Sequence, residues 1–166
     1  MANLLVLQAG RNAFRTVSSG GGGGPISETP LDPPAGYGYA VQPAFFEENV
    51  GAYVAANGSW LNDDNTAHSG GRAYYSTNPG DTVTIRFWLR TSGRIRLKQA
   101  RNAGLGRGEV QIDGTGAWEE VNQYAPSLTP ADFLYTSAVL PQGEHTLVFR
   151  VKSGVVLFDA TDITTA

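Results

Sequence analysis

Apolar and polar residues alternate along several short stretches of the chain. In residues 80–98, GDTVTIRFWLRTSGRIRLK, the apolar side chains of Val83, Ile85, Phe87 and Leu89 occupy every second position, and Thr, Arg or Trp stand between them. Successive side chains of a β-strand point to opposite faces, so this period of two predicts a strand with one face in a core. The other face, with a tryptophan and several arginines, needs a separate explanation.

The same pattern recurs between turn-forming sequences such as NPGD, IDGTG and LPQGE. It predicts eight strands, at residues 44–55, 71–76, 81–90, 94–99, 109–113, 134–140, 145–152 and 155–163. Eight short strands with tight turns are typical of a β-sandwich or jelly roll. Residues 129–133, TPADF, are predicted to form the one helical turn. We therefore expect an all-β, jelly-roll type of β-sandwich over residues 44–166.

Residues 1–43 differ in character and are predicted to form an extended N-terminal arm. It combines a short strand, a flexible glycine-rich hinge at residues 18–25 (SSGGGGGP) and a proline-broken extended segment. The predicted strand consists of Asn3, Leu4, Leu5, Val6, Leu7 and Gln8. One interpretation is a disordered leader. The other is an ordered assembly arm. Ordering a glycine-rich chain costs much conformational entropy, so such an arm would need a neighbouring subunit to hold it.

Composition narrows the class of protein. The chain has 166 residues, enough for one main domain, and its 21 glycines, 9 prolines and single methionine argue against a helical bundle. Cysteine is absent, which excludes disulfides and thiolate metal sites. The net charge of -3 argues against general nucleic-acid binding, which usually needs an excess of Lys and Arg.

The first residues, MANLLVLQAGRNAF, have no basic segment ahead of their short apolar run. That run is too short for a signal peptide or a membrane span. We therefore expect a protein that is made in the cytoplasm and either stays there or leaves by assembly or lysis.

From about residue 44 onward, the order of segments resembles the galactose-binding-like β-sandwich domains common among carbohydrate-binding modules. The segments that carry the resemblance are GSW, GGRAYYS, GDTVTIRFWL, GRIRLKQ, GEVQIDG, LYTSAVLPQGEHTLVFRV and VVLFDATDI. The resemblance implies the fold. It leaves the function open, because that family includes sugar binders, membrane-edge binders and architectural domains.

The resemblance also implies a candidate calcium site and a remodelled loop. Many relatives hold a structural calcium between an acidic residue of the first strand and an aspartate near the last strand. The acidic residues available here are Glu47, Glu48, Asp159 and Asp162, with Glu47 and Asp159 as the first choice. Solvated carboxylates are the alternative. The loop at residues 99–108, QARNAGLGRG, is longer and richer in glycine than is usual at that place.

Outward positions of three predicted strands carry most of the basic residues. They are Arg86, Arg90, Arg94, Arg96, Lys98, Arg150 and Lys152. If the three strands share one sheet, an acidic protein has a basic face with Trp88 in it. Its partner would be an acidic polysaccharide stacked on Trp88 or the acidic surface of a protein lattice; otherwise the charges are solvated protection of a sheet edge. A nucleic acid would need a wider basic surface with interleaved aromatic residues.

Other aromatic residues are candidates for ligand contacts. Trp60 stands at a loop–strand border, where in the resembling family a tryptophan more often packs the sandwich edge than contacts ligand. Trp118 lies in a loop-rich stretch, GTGAWEEVNQY, where sugar-binding relatives often place ligand contacts, and Tyr124 follows it. For Trp118 a binding and a structural role are equally supported. The predicted binding residues are Trp88, Arg86, Arg90, Arg94, Arg96, Trp118 and Tyr124.

Motifs for catalysis are weak. His68 and His145 lack the spacing of a zinc motif, no GxSxG segment is present, and the glycine run lacks the lysine of a phosphate loop. Asp113 with Glu119 or Glu120 is the one carboxylate pair with the chemistry to cleave a glycosidic bond, and paired acids in surface turns are usually solvated. We expect no enzymatic activity.

The sequence thus predicts a non-enzymatic structural or binding protein of a large assembly. The first hypothesis is a phage virion accessory protein, such as a capsid decoration, head-surface, tail or fibre component, anchored by its N-terminal arm to other protein subunits in a homo-oligomer or lattice. The arm strand would extend a partner's sheet. The alternative is an extracellular carbohydrate-binding adhesin or module whose sandwich binds a cell-surface polysaccharide.

Overall fold

The computed structural model describes residues 4–7, 14–17, 40–42, 44–48 and 54–166. The chain divides into two compact units, Met1–Tyr37 and Gly38–Ala166. In the first unit, β1 (Leu4–Leu7) pairs antiparallel with β2 (Phe14–Val17). Asn3, Gln8 and the hinge at residues 18–25 lie outside the described residues, and the role of the arm stays a prediction.

The second unit is built from strands, which confirms the all-β prediction. They are β3 (Ala40–Val41), β4 (Ala44–Glu47), β5 (Val54–Asn57), β6 (Leu61–Asp64), β7 (Arg72–Ser76), β8 (Thr82–Leu89), β9 (Gly93–Arg101), β10 (Arg107–Ile112), β11 (Thr115–Asn122), β12 (Thr129–Thr136), β13 (Gly143–Ser153), β14 (Val156–Phe158) and β15 (Ala160–Thr165). A 3-10 turn, Ser69–Gly71, precedes β7. Within the described residues, no helix is long and apolar enough to cross a membrane.

The strands form two packed sheets and a smaller third one. The first sheet has the order β11-β10-β13-β8, with β3 and β5 both pairing with β8, and the second has the order β12-β9-β15-β4. The three-stranded sheet has the order β14-β7-β6. All described pairs are antiparallel except β3 with β8.

The core lies between the first and second sheets, where the apolar alternation predicts it. The exposed fraction alternates along β8 so that Val83, Ile85, Phe87 and Leu89 are fully buried. Strands of both sheets contribute further buried apolar side chains, among them Ile95, Leu97, Val110, Leu147, Phe149, Val151 and Ile163. Burial of this continuous apolar set is the main favourable contribution to folding of a chain without disulfides.

Two predicted strands are each divided between sheets. The prediction at residues 44–55 is wrong in this respect, because β4 belongs to the second sheet and β5 to the first. Residues 155–163 likewise form β14 in the three-stranded sheet and β15 in the second sheet. The buried side chain of Gln123 occupies the other edge of β14, accepting from the N–H of Leu157 at 2.8 Å and donating to its carbonyl at 2.6 Å.

Three further segments differ from the prediction. Residues 129–133 start strand β12 and do not form a helical turn. The segment of β11, described as loop-rich from the sequence, is a strand, and β6 is a strand that was not among the eight predicted. The β10–β11 hairpin closes through Asp113 and Gly114, whose φ angles of 53° and 63° are those of a type I′ turn. The β11 segment is mostly exposed, and its apolar–polar alternation is too weak to predict a strand. It forms a strand because the turn pairs it with β10.

Tyr135 of β12 and Glu119 of β11 connect the open edges of the two sheets. The ring of Tyr135 is buried, and burial together with the Glu119 charge raises its pKa to about 12. The folded state thus retains the phenol proton where the unfolded chain loses it. This contribution to stability is complete below pH 10 and is lost as the pH rises from about 10 to about 12.

We expect Tyr135→Phe to remove that part of the alkaline sensitivity. Between pH 8 and pH 11 the free energy of unfolding should fall by roughly 1 kcal/mol more in the native protein than in the variant. Urea unfolding followed by tryptophan fluorescence at both pH values measures this difference. An equal fall in the two proteins would mean that Tyr135 does not titrate with folding.

Candidate functional site

The predicted single basic face is wrong, because the three strands that carry it do not share a sheet. β8 and β13 are neighbours in the first sheet, and β9 lies in the second. Arg86 and Arg150 therefore lie on one outer surface of the sandwich and Arg94 and Arg96 on the opposite one. Alternation specifies which side of a strand is outward; it does not specify the sheet to which the strand belongs.

On the outer surface of the first sheet, the cations are matched by carboxylates. The ion pairs are Arg150–Glu109, Lys152–Glu120, Arg107–Glu120 and Arg86–Glu144, with N–O distances of 2.5, 2.8, 3.0 and 3.2 Å. Arg90, also predicted to bind ligand, is exposed just beyond the end of β8. This surface is nearly neutral, and the glutamates that make it so were not predicted as site residues.

Two tryptophans lie on the same surface and are both partly covered. The guanidinium carbon of Arg150 lies 3.9 Å from the ring centroid of Trp118, so one face of that ring is already stacked. Trp88 pairs in register with Glu144, and its buried ring nitrogen has no acceptor among the described residues. Trp60 packs against the core, as predicted, and its Nε1 donates to the carbonyl of Thr82 at 3.1 Å.

A cleft of about 230 Å³ opens beside Tyr124, at the end of β11. Its lining consists of Leu105, Gly106, Arg107, Asn122, Tyr124, Ser153 and Gly154. Tyr124 is 54% exposed to solvent. The Oδ1 atom of Asn122 accepts a hydrogen bond from the backbone N–H of Tyr124 at 3.0 Å. This bond does not use the NH₂ group of Asn122, which can donate to a ligand.

Two features noted in the sequence lie at this cleft. Tyr124 was expected to contact a ligand, and the connection between β9 and β10, which falls within the predicted loop at residues 99–108, supplies Leu105 and Gly106 to one wall. Arg107 and Asn122 were missed because they lie on different strands, β10 and β11, and become neighbours only through the register of that hairpin. The fixed turn at Asp113 and Gly114 was the one sequence signal for that register.

The carboxylates of Glu47, Glu48 and Asp159 form an acidic cluster, with oxygen atoms within 4.8 Å of one another. Glu47 ends β4, Glu48 follows it, and Asp159 connects β14 to β15. The 3-10 turn holds the cluster, since the Ser69 N–H donates to both Asp159 oxygens at 3.0 and 2.9 Å. Asp162, another sequence candidate, lies elsewhere and pairs with Arg96.

The electrostatics of the cluster favour a bound cation. Burial raises the pKa of Asp159 to about 7, against the backbone N–H bond that lowers it, and burial also raises the pKa of Glu48. Oε2 of Glu47 and Oε1 of Glu48 are buried without a hydrogen-bond donor among the described residues. Buried acceptors without donors cost free energy that a metal ion would offset.

Calcium suits this donor set. It prefers hard oxygen ligands in a flexible arrangement of six to eight, and three carboxylates supply the charged part of such a set. Glu47, Glu48 and Asp159 would hold it, and an adjoining cleft of about 350 Å³ gives access from solvent. A bound ion would tie β4 to the β14–β15 connection and thereby fasten the edge of the second sheet.

The carboxylates and histidines considered for catalysis are engaged in structural contacts. Asp113 accepts from the Thr146 N–H at 2.8 Å and contacts Nδ1 of His145 at 2.7 Å. Glu120 faces the cations of the outer surface, whereas Glu119 faces Tyr135. Asp113 and the two glutamates thus do not converge on one cleft.

Solved structures share this architecture. No protein-family model matches the sequence, and no curated protein matches it. A family 35 carbohydrate-binding module from Clostridium thermocellum is similar over 74% of this chain and 98% of its own, with TM-score 0.56 and 15% identity.

Two enzyme structures are also similar. One is an exo-β-1,3-galactanase from Phanerochaete chrysosporium, with TM-score 0.53, 20% identity and coverage of 73% of this chain and 29% of the galactanase. The other is a GH26-CBM35 β-(1,4)-mannanase from Podospora anserina, with TM-score 0.55, 21% identity and coverage of 75% and 28%. The chain therefore matches less than a third of each enzyme and nearly the whole of the binding module, and its β-sandwich fold is similar to the fold of that module.

Proposed function

We propose that the sandwich unit is a non-catalytic carbohydrate-binding module and that it binds its glycan in the cleft beside Tyr124. The observation that carries the proposal is that Tyr124, with about half of the residue exposed, lines the same cleft as Asn122 and Arg107. A sugar ring offers an apolar C–H face and a rim of hydroxyls. The phenol ring suits the first, and planar polar side chains suit the second.

The size of the cleft indicates how much of a glycan it accepts. Its volume of about 230 Å³ is below the range of about 300–1,000 Å³ usual for pockets that enclose drug-sized ligands. It therefore suits one sugar ring or the end of a chain. Fold likeness supports the same function, since the similar structures include a protein named as a carbohydrate-binding module.

Replacing Tyr124 with alanine should weaken glycan binding about five- to ten-fold, because the lost aromatic contact is worth about 1 kcal/mol or slightly more. A glycan array on the full chain identifies the ligand, and isothermal titration then compares variants. Tyr124→Phe keeps the ring and should bind within about two-fold of the native protein. Leu128→Ala, a change at another half-exposed apolar residue, is the matched control.

Two results would contradict the proposal. One is the absence of any glycan ligand in the array with calcium present. The other is a ligand whose affinity is unchanged by both Tyr124→Ala and Arg107→Ala.

The virion hypothesis has no support among the similar structures named above, and most of the N-terminal arm on which it depends lies outside the described residues. Assembly through the arm and a location in a virion stay predictions. Carbohydrate binding does not depend on them.

A further inference from the structure

We propose that the outer surface of the second sheet is a separate binding surface for an extended anionic polysaccharide. It consists of Arg94, Arg96 and Lys98 on β9, Phe133 on β12, Asp162 on β15 and Phe45 on β4. These residues lie on the opposite side of the sandwich from the ion-paired surface of the first sheet. The proposal goes beyond the glycan cleft proposed at Tyr124 and does not depend on it.

The cations of this surface are under-compensated. Arg96 pairs with Asp162, and Arg94 donates to the backbone carbonyl of Ser137 at 2.7 Å. Among the described residues, neither Arg94 nor Lys98 has a carboxylate partner. The remaining acid on this face of β4 is Glu47, whose Oε1 accepts from the hydroxyl of Ser69 at 3.1 Å within the acidic cluster. The first sheet, by contrast, matches its cations with glutamates.

The three cations form a row. They occupy alternate positions of one strand, so neighbours are about 6.8 Å apart and the row is about 14 Å long. A single small anion would reach only part of such a row, whereas a polymer with regularly spaced carboxylates could contact all of it. The chain as a whole is acidic at -3, so this local charge is not a consequence of composition.

Aromatic rings flank the row and are already arranged for cationic and sugar contacts. The Arg96 guanidinium carbon lies 3.9 Å from the Phe133 centroid, and Lys98 Nζ lies 5.6 Å from the Phe45 centroid. Lys98 reaches across β15 because its register partner there is the small residue Ala160. Phe45 is 50% exposed, which leaves ring surface for the apolar face of a sugar.

The two arginines of this surface are held in place by contacts with neighbouring groups, unlike mobile surface lysines. Arg96 is held by both Asp162 and the Phe133 ring, and Arg94 is held by the Ser137 carbonyl. Side chains that are already ordered lose less entropy when a ligand binds. A nucleic acid fits less well, since phosphate-directed binding depends on a larger number of basic contacts.

The test uses the full chain with sodium polygalacturonate in a buffer without divalent cations, and fully methyl-esterified polygalacturonate as the neutral control. Affinity electrophoresis should show retardation by the charged polymer, weakening as salt increases, and none by the ester. Arg94→Gln and Lys98→Gln should each weaken binding about two- to five-fold, and the double variant about ten-fold or more.

Lys152→Gln, the same change on the first sheet, is the matched control and should leave binding unchanged. Equal losses in Lys152→Gln and Lys98→Gln, equal binding of the ester, or tighter binding of single-stranded DNA would overturn the proposal. So would self-association in sedimentation that the double variant abolishes. Tyr124→Ala keeps polygalacturonate binding if the two sites are distinct, so failure of one proposal is distinguishable from failure of the other.

Discussion

Gly108→Ala is expected to lower the free energy of unfolding by about 2 to 3 kcal/mol. A Cβ at this position would come within 2.3 and 2.4 Å of two ring carbons of Phe149, which is fully buried. Gly108 lies on β10 directly opposite Val151 of β13, so the backbone has little freedom to move away. Overpacking of a closed core commonly costs about 1 to 3 kcal/mol.

Urea unfolding measures the loss in the free energy of unfolding. Two further variants test whether the loss comes from the contact with the Phe149 ring. Gly104→Ala is the matched control, since no heavy atom lies within 4 Å of the added Cβ, and its effect should be below about 1 kcal/mol. Phe149→Leu removes the atoms that clash. The Gly108→Ala, Phe149→Leu double variant should therefore be more stable than the sum of the single changes by about 1 kcal/mol or more. Additive losses would mean that the ring is not the obstacle.

Calcium is expected to raise the melting temperature by about 10 °C. At a free concentration a thousand-fold above Kd, binding to the native state contributes about 4.1 kcal/mol. For a chain of this size each kcal/mol shifts the melting temperature by about 2 to 4 °C. Magnesium should have a smaller effect, because it requires a tighter octahedral geometry. Differential scanning calorimetry in chelator and in calcium measures the shift.

Asp159→Asn should change the stability of the protein in opposite directions without and with calcium. In chelator at neutral pH the variant should be more stable than the native protein, since the amide removes an uncompensated buried charge. In calcium it should be less stable, because a charged ligand of the ion is lost. Asp132→Asn, at an exposed carboxylate of β12, should retain the full calcium response. An equal shift in Asp159→Asn and the native protein would rule out the acidic cluster as the calcium site.

The candidate sites could be predicted from the sequence to different degrees. Tyr124 and the calcium pair Glu47 and Asp159 were chosen from a family resemblance. In the structure Tyr124 lines a cleft, and Glu47 and Asp159 lie in one acidic cluster. The basic residues were chosen from alternation, which correctly put them on outward positions. Their division between two surfaces could not be predicted, because strands adjacent in sequence, such as β8 and β9, pair with different neighbours.

The sequence by itself determined the all-β class, the inward and outward side of the main strands, and the tight turn at Asp113 and Gly114. These are local properties, set by a side-chain period of two and by residues that tolerate positive φ. Only the tertiary structure decided the division of residues 155–163 between two sheets, the cleft between Arg107 and Tyr124, and the place of Glu48 in one cluster with Glu47 and Asp159. Each of these depends on contacts between segments far apart in the chain, and the pairing that brings them together is chosen by packing of the whole core rather than by any local pattern.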